Sequence, residues 1–373
     1  MRIAFYAPLK SPDHPIPSGD RRVAQLFVKA LRAGGHQVFL ASRFRSYDRR
    51  GDQARQASLA SLGGRLAERF LTRCGTASET TPELWFTYHL YHKAPDWLGP
   101  AVSDALSIPY VIAEASDAPK QALGRWAIGR RAAARAIGRA DAVIGLNPVD
   151  RDCVMPLLRD PWRWIPIKPF IDAASYPVPL RTGNRPPRLI VVGMMRYGDK
   201  LASYQILGDA LARLLDLPWT LEVVGDGPAR REVEYALDPL SERVTWAGAL
   251  SAVAVSVRLA EADLCVWPAL NEAFGMALLE AQASELPVVA GDSGGVGQIV
   301  VPQVTGLLVP PGDASAFADA VRSLVIDSGR RAALAAAARQ RVRAEHDIST
   351  ATRQLDAVIA TLARSHHVVG NRK

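Results

Sequence analysis

The chain has 373 residues, of which 49% are hydrophobic and 22% charged, a balance that suits a soluble globular enzyme with room for two α/β domains. The formal net charge is +8, and it is unevenly placed: residues 1–180 hold 25 Lys and Arg against 16 Asp and Glu, the remainder 20 against 21. The basic excess suits an anionic lipid, an anionic substrate or a solvated arginine surface; without a nucleic-acid-binding signature, nucleic acid is excluded as a partner.

In chain order, residues 3–6 read as a short apolar strand, and a Pro/Gly/Ser loop runs to Gly19. This opening lacks the basic start, long apolar core and cleavage site of a signal peptide. Residues 21–33 place Val23, Leu26, Phe27, Ala30 and Leu31 at helical spacing, and Gly34 and Gly35 stop the run. Further strands are expected at 38–41, 84–87, 110–113, 142–146 and 164–167, with helices between most of them. That alternation predicts a parallel, doubly wound sheet. Pro177, Pro179, Gly183, Pro186 and Pro187 then mark a linker. A second series follows: strand 189–192, a helix from Leu201, strand 220–224, a helix from Ala229, and strands at 244–246, 264–266, 288–290 and 307–309. The expected organisation is an N-terminal Rossmann-like domain at 1–172, a linker at 173–187 and a C-terminal Rossmann-like domain at 188–348. A last helix and tail occupy 349–373. No run of eighteen apolar residues is long enough to span a membrane. Cys74, Cys153 and Cys265 are widely spaced and form neither a disulfide framework nor a metal-ligand pattern, so the expected place is the cytoplasm.

Glu272 and Glu280 frame the most informative segment. A loop glutamate precedes a helix that opens near Gly275, and the second glutamate lies on that helix, about 12 Å along at ~1.5 Å per residue. The free amides and positive end of such a helix suit a diphosphate. One carboxylate is then available for sugar hydroxyls and the other for a ribose diol. Two solvated glutamates flanking an ordinary helix is the alternative.

The flanking residues decide between them. Phe274 and Gly275 sit between the glutamates, Ala281 follows, and then come Pro287, Val288, Val289, Gly294 and Gly295. The run Thr305, Gly306, Leu307, Leu308, Val309, Pro310 leads to Asp313; upstream lie Val224, Gly225, Asp226, Gly227, Pro228 and, near the start, Gly35, His36, Gln37, Val38. In this order the motifs resemble the family-four retaining glycosyltransferases of the GT-B fold, over nearly the whole chain. The resemblance implies two Rossmann-like domains facing a central cleft, with the last helix crossing back onto the first domain. It implies transfer of a hexose-type sugar from a nucleoside diphosphate sugar to an acceptor, a lipid or a growing glycan.

The same resemblance assigns residues. Glu272 would hold sugar hydroxyls and Glu280 the ribose, with Phe274, Gly275 and Met276 beside the donor. Family members place an arginine straight after the glycine matched by Gly193 and a lysine five residues later. Here Met194 stands in the arginine's place, so the diphosphate role passes to Arg196 and Lys200. Gly19 and Gly225 would lie on the donor side. His89 is the candidate for the N-domain histidine that contacts the sugar, with His92 in reserve. Asp20 reads as a helix N-cap, and Glu114 falls in the acceptor-side loop, whose residues depart from the family pattern. Gln298 stands where the family has glutamate. No Asp-x-Asp metal motif is present, so neither a metal nor a cofactor beyond the donor is expected. Two carboxylates about 5–5.5 Å apart, as in retaining hydrolases, do not match this spacing. A GT-B epimerase or hydrolase, or a non-catalytic sugar-nucleotide-binding protein, stays open.

Residues 120–139 read as one helix carrying Arg125, Arg130, Arg131, Arg135 and Arg139, with Trp126 among its apolar anchors. Two readings remain: reversible docking on the anionic inner face of the cell membrane, or packing on the first sheet with a solvated arginine face.

Overall fold

The computed structural model describes residues 1–16, 18–76, 81–177 and 185–370; positions 178–184 of the expected linker and 371–373 of the tail lie outside the described residues. Two compact units are present, one made of Met1–Lys168 with Ile348–Lys373, the other of Pro169–Asp347. The first stretch of chain therefore ends four residues before the boundary expected at Asp172.

In the first unit β1 (Arg2–Tyr6), β2 (Gln37–Ser42), β3 (Leu84–Leu90), β4 (Tyr110–Ala115), β5 (Ala142–Gly145) and β6 (Trp164–Pro166) form one parallel sheet, in the order β2-β1-β3-β4-β5-β6. The second unit repeats the plan with β7 (Arg188–Val192), β8 (Thr220–Val224), β9 (Val244–Gly248), β10 (Leu264–Trp267), β11 (Val288–Gly291) and β12 (Gly306–Val309), ordered β12-β11-β10-β7-β8-β9. The strands are near-continuous apolar runs because helices cover both faces of a parallel sheet. Ile3, Ala4, Phe5 and Tyr6 are buried, as are Leu189, Ile190 and Val191. In each sheet the first strand of the series has neighbours on both sides, so the chain leaves it in opposite directions and opens a crevice at the carboxyl ends.

Helix Gly19–Ala33 is capped by Ser18, whose side chain accepts from the Arg21 amide. Asp20, expected to cap, lies in the first turn instead. The last helix, Ile348–Gly370, is longer than its apolar pattern indicated and packs on Gly19–Ala33 within the first unit. Thr352 Oγ1 donates to the Ala30 carbonyl at 3.2 Å, and His36 Nε2 lies 3.0 Å from Asp356 Oδ1.

The continuous helix expected over 120–139 is not formed. A short 3-10 turn at Pro119–Gln121 is followed by irregular chain, and the α-helix begins at Ala127. Side-chain demands explain the break. Trp126 turns inward, its Nε1 donating to the Asp48 carbonyl at 3.0 Å while Lys93 lies over its ring. Arg130 forms a two-point pair with Asp117 at 3.0 and 2.8 Å, and Arg139 pairs with Asp104 and Asp141. At Gly129 a Cβ would meet the His92 carbonyl at 2.2 Å, so this helix is pressed against the rest of the unit. Arg131 and Arg135 remain exposed.

Candidate functional site

In the second unit, loops from the carboxyl ends of four strands meet. The loop after β7 is held against the loop after β8: Gly193 N donates to the Val224 carbonyl at 3.0 Å, Met195 N to Asp226 at 3.0 Å and Ala229 N to Met195 at 3.0 Å. Gly225 and Gly227 are required there by the protein's own backbone. A Cβ on them would lie 1.9 Å from the Gly193 carbonyl and 2.2 Å from that of Met195, with φ of 143° and 158°. The loop after β10 rests in the same way on the loop after β11. Gly295 N donates to the Glu272 carbonyl at 3.2 Å, and a Cβ on Gly294 would lie 1.9 Å from that oxygen. Asn271 ties three loops, its amide donating to Ser293 Oγ and its side chain to Asp199 Oδ2, both at 2.9 Å.

On this scaffold Lys200, in the first turn of helix Asp199–Leu211, donates to Glu272 Oε1, and the Trp267 indole donates to the same oxygen at 2.9 Å. Lys200 Nζ also sits 5.1 Å from the Trp267 ring centre, a cation–π contact. Tyr204 packs edge-on against Trp267 and donates to the Gly193 carbonyl at 2.9 Å, fixing the indole. Gly275, at φ 75°, turns the chain into helix Met276–Ala283, which carries Glu280 in its second turn. Phe274 is buried behind this turn. Arg196 is exposed, and its side chain makes no hydrogen bond or ion pair among the described residues. The two expected phosphate ligands are thus not paired alike: Lys200 is engaged with Glu272 and Arg196 is open. Gln298 is half-buried in the turn Val296–Gln298.

The first unit carries a second polar cluster. His89, near the end of β3, has φ 59°, and Glu114, near the end of the neighbouring β4, has φ 60°. They face each other in register, between the pairs Tyr88↔Ala113 and Leu90↔Ala115. His89 Nδ1 lies 2.8 Å from Asp20 Oδ1, and Glu114 Oε1 accepts the Leu146 amide at 2.8 Å. Burial works against a charged imidazole at His89. The hydrogen bond and charge of Asp20, with Glu114 and Asp150 behind it, outweigh burial and hold the pKa above the ordinary value. Burial lifts the Glu114 carboxyl to about 7, against the opposing pull of His89 and the Leu146 amide. Burial also raises Asp150. His92 belongs elsewhere: its ring packs edge-on against Trp126, and burial with Lys93 pushes its pKa down.

The structure therefore brings Lys200 to Glu272 and Asp20 to His89. Trp267, Asn271 and Asp150 were not singled out by sequence. A tryptophan ending a strand five residues before the loop glutamate was the one available signal for Trp267.

Residues 186–327 match the family model described as glycosyl transferases group 1. Glycogen synthase of Mycobacterium tuberculosis is 33% identical over 203 residues, which are 51% of this chain and 47% of that protein. D-inositol 3-phosphate glycosyltransferase of Kineococcus radiotolerans is 31% identical over 256 residues, 61% of this chain and 58% of that protein. The chain spans about half the length of the curated relatives it matches. Among solved structures, sucrose-phosphate synthase from Thermosynechococcus elongatus superposes with a TM-score of 0.75 at 22% identity, covering 98% of this chain and 99% of that one. Anabaena HepE in complex with UDP gives 0.72 at 19% identity, covering 97% and 100%. These likenesses show a shared fold.

Proposed function

We propose that the protein is a glycosyltransferase of GT-B fold that moves a hexose-type sugar from a nucleoside diphosphate sugar to an acceptor, with retention at the anomeric carbon; the match of residues 186–327 to glycosyl transferases group 1 and the fold shared with sucrose-phosphate synthase support this reading. The observation that carries this reading is the set of Lys200, Trp267 and Glu272 placed just before helix Met276–Ala283. A diphosphate arriving at the opening of that helix competes with Glu272 for Lys200. The exchange gives the phosphates a cation and leaves Glu272 to the sugar hydroxyls. As the glycosidic bond breaks, positive charge grows on the sugar ring and negative charge on the leaving diphosphate. Lys200, Arg196 and the amides at the helix start oppose the latter. Glu280 is assigned to the ribose. Gly225 and Gly19 are assigned to the edges of the donor, and His89 to the transferring sugar. The reaction is proposed to need no divalent metal and no further cofactor.

The acceptor is proposed to be a lipid or a glycan. An anionic membrane surface would be met by Arg131 and Arg135, the two arginines of helix Ala127–Arg139 that stay exposed. Among the described residues no helix is long and apolar enough to cross a membrane. Cys74, Cys153 and Cys265 are free, which supports the reducing cytoplasm as the place of action.

Titration with UDP-, GDP-, ADP- and dTDP-sugars, UDP-glucose first because a solved HepE complex holds it, tests the donor. Turnover is then measured with EDTA on diacylglycerol in anionic and neutral vesicles, polyprenyl-linked and polysaccharide acceptors. The expected product is a glycoside with the donor's anomeric configuration. Free sugar or an epimer formed without acceptor would establish a hydrolase or epimerase; donor binding without turnover would establish a binding protein.

A further inference from the structure

The residue that governs His89 lies 69 positions away from it in sequence and holds its ring at hydrogen-bond distance. We propose that Asp20 is the positioning residue for His89: it accepts the Nδ1 proton and fixes the imidazolium so that Nε2–H donates to a substrate oxygen. The proposal rests on the transferase reading above, because the substrate it names is the sugar nucleotide.

An ionised carboxylate can only accept, so the 2.8 Å contact puts a proton on Nδ1. A neutral ring would then present Nε2 as an acceptor, whereas an imidazolium presents it as a donor. The carboxylates around it favour the imidazolium. Asp20 comes from the first turn of helix Gly19–Ala33, Glu114 from β4 and Asp150 from the turn after β5. From the chain around His89 itself, the rings of Tyr88 and Tyr91 pack at 5.8 and 5.3 Å, and both phenols are raised and neutral. Nε2 has no hydrogen-bond partner among the described residues, and the side chain is 30% exposed, so the ring can be reached by a ligand. The backbone points the same way. A left-handed φ is strained at a histidine and at a glutamate, and such strain gathers at functional sites. Here both occur at one register position of adjacent strands. Ser18 takes the capping hydrogen bond of the helix, which lets Asp20 reach across to the ring.

Three variants of the full chain, Asp20→Asn, His89→Gln and Glu114→Gln, test this, with thermal unfolding to confirm folding. The asparagine of the first variant keeps an acceptor at the same place without the charge. In Asp20→Asn, kcat/KM is expected to match wild type at pH 5.5 and to fall about tenfold below it at pH 8, as the imidazolium is lost earlier. The His89 imidazole, followed by NMR, should titrate at lower pH in step with that limb, with Nδ1 protonated in the wild-type neutral ring. Glu114→Gln should move both in the same direction by less. His89→Gln should give low activity with that limb absent. A titration that moves while the activity limb stays, or an equal loss at every pH, would overturn the proposal, as would an Nε2-protonated neutral ring. If wild type turns over no donor, the transferase reading is what fails; calorimetric binding of UDP-glucose against pH, in wild type and Asp20→Asn, then decides the role of Asp20 by the same shift or its absence.

Discussion

At the strand ends of the first unit, His89 and Glu114 themselves take the left-handed backbone positions. Around the Glu272 loop of the second unit, Gly225, Gly227, Gly275 and Gly294 take them, beside Ala269 and Asn271. The charges differ in the same sense. The first unit gathers Asp20, Glu114 and Asp150 about one imidazole, whereas the second sets one lysine against one glutamate. One site is shaped by close backbone packing between loops, the other by an excess of carboxylates in a partly buried place. Small changes of volume should therefore disturb the second, and changes of pH the first.

The sharpest way to break this contrast is Gly294→Ala. The added methyl meets the Glu272 carbonyl, so one of the two loops must move. A loss of about 3 kcal/mol in unfolding free energy is expected, with donor binding lost alongside. Gly312 also has a positive φ, of 85°, but nothing lies within 4 Å of its Cβ position. Gly312→Ala should cost only about 1 kcal/mol. Equal losses in denaturant titrations would show that backbone angle, not loop contact, dictates these glycines.

A smaller effect comes from charge in the second unit. Lys200→Ala should weaken binding of the free nucleoside diphosphate by roughly 1.5–3 kcal/mol, about tenfold to a hundredfold in Kd. Arg196→Ala should weaken it in the same direction, and Glu280→Ala should weaken both nucleotide and sugar nucleotide. Calorimetry showing unchanged nucleoside diphosphate affinity in both cation variants would remove the phosphate role from this loop.

The smallest change sharpens the first unit. Folded Glu114 keeps its proton up to about pH 7, while the unfolded chain releases it near 4.5. Between those values the native state binds more protons, so stability falls as pH rises, on the order of 2 kcal/mol across the window for a half-buried group. In Glu114→Gln that part of the decline should vanish in unfolding curves taken at pH 5 and pH 7.5. An undiminished decline would mean that Glu114 is ionised throughout.

Strands were legible because parallel sheets bury both faces: β8 falls on residues 220–224 as expected. Their ends were less so, since hydrogen bonds from neighbouring strands set them, and β3 continues past Thr87 to include His89. Helix Gln53–Thr76 left little pattern, because its buried positions include Gln56 and Gly63. The loop glutamate and the helix opening after Gly275 were readable as a local motif. Long-range partners were not. Nothing near Asp20 announces His89, and nothing near Arg130 or Arg139 distinguishes a paired guanidinium from a solvated one. Gly225 and Gly227 could be seen as places of close approach, but not that the neighbour is the protein's own loop.

Helix Ile348–Gly370 belongs to the first unit although the whole of the second unit precedes it in the chain. During synthesis, then, the face of helix Gly19–Ala33 that packs on helix Ile348–Gly370 waits, uncovered, until the ribosome has made all of the second unit. The first unit cannot finish folding as it emerges, and the usual order, amino-terminal part first, is reversed for its final step. A chain truncated after Asp347 would hold a completed second unit and an unfinished first one. That species would be the natural client of a chaperone that binds exposed apolar helix faces.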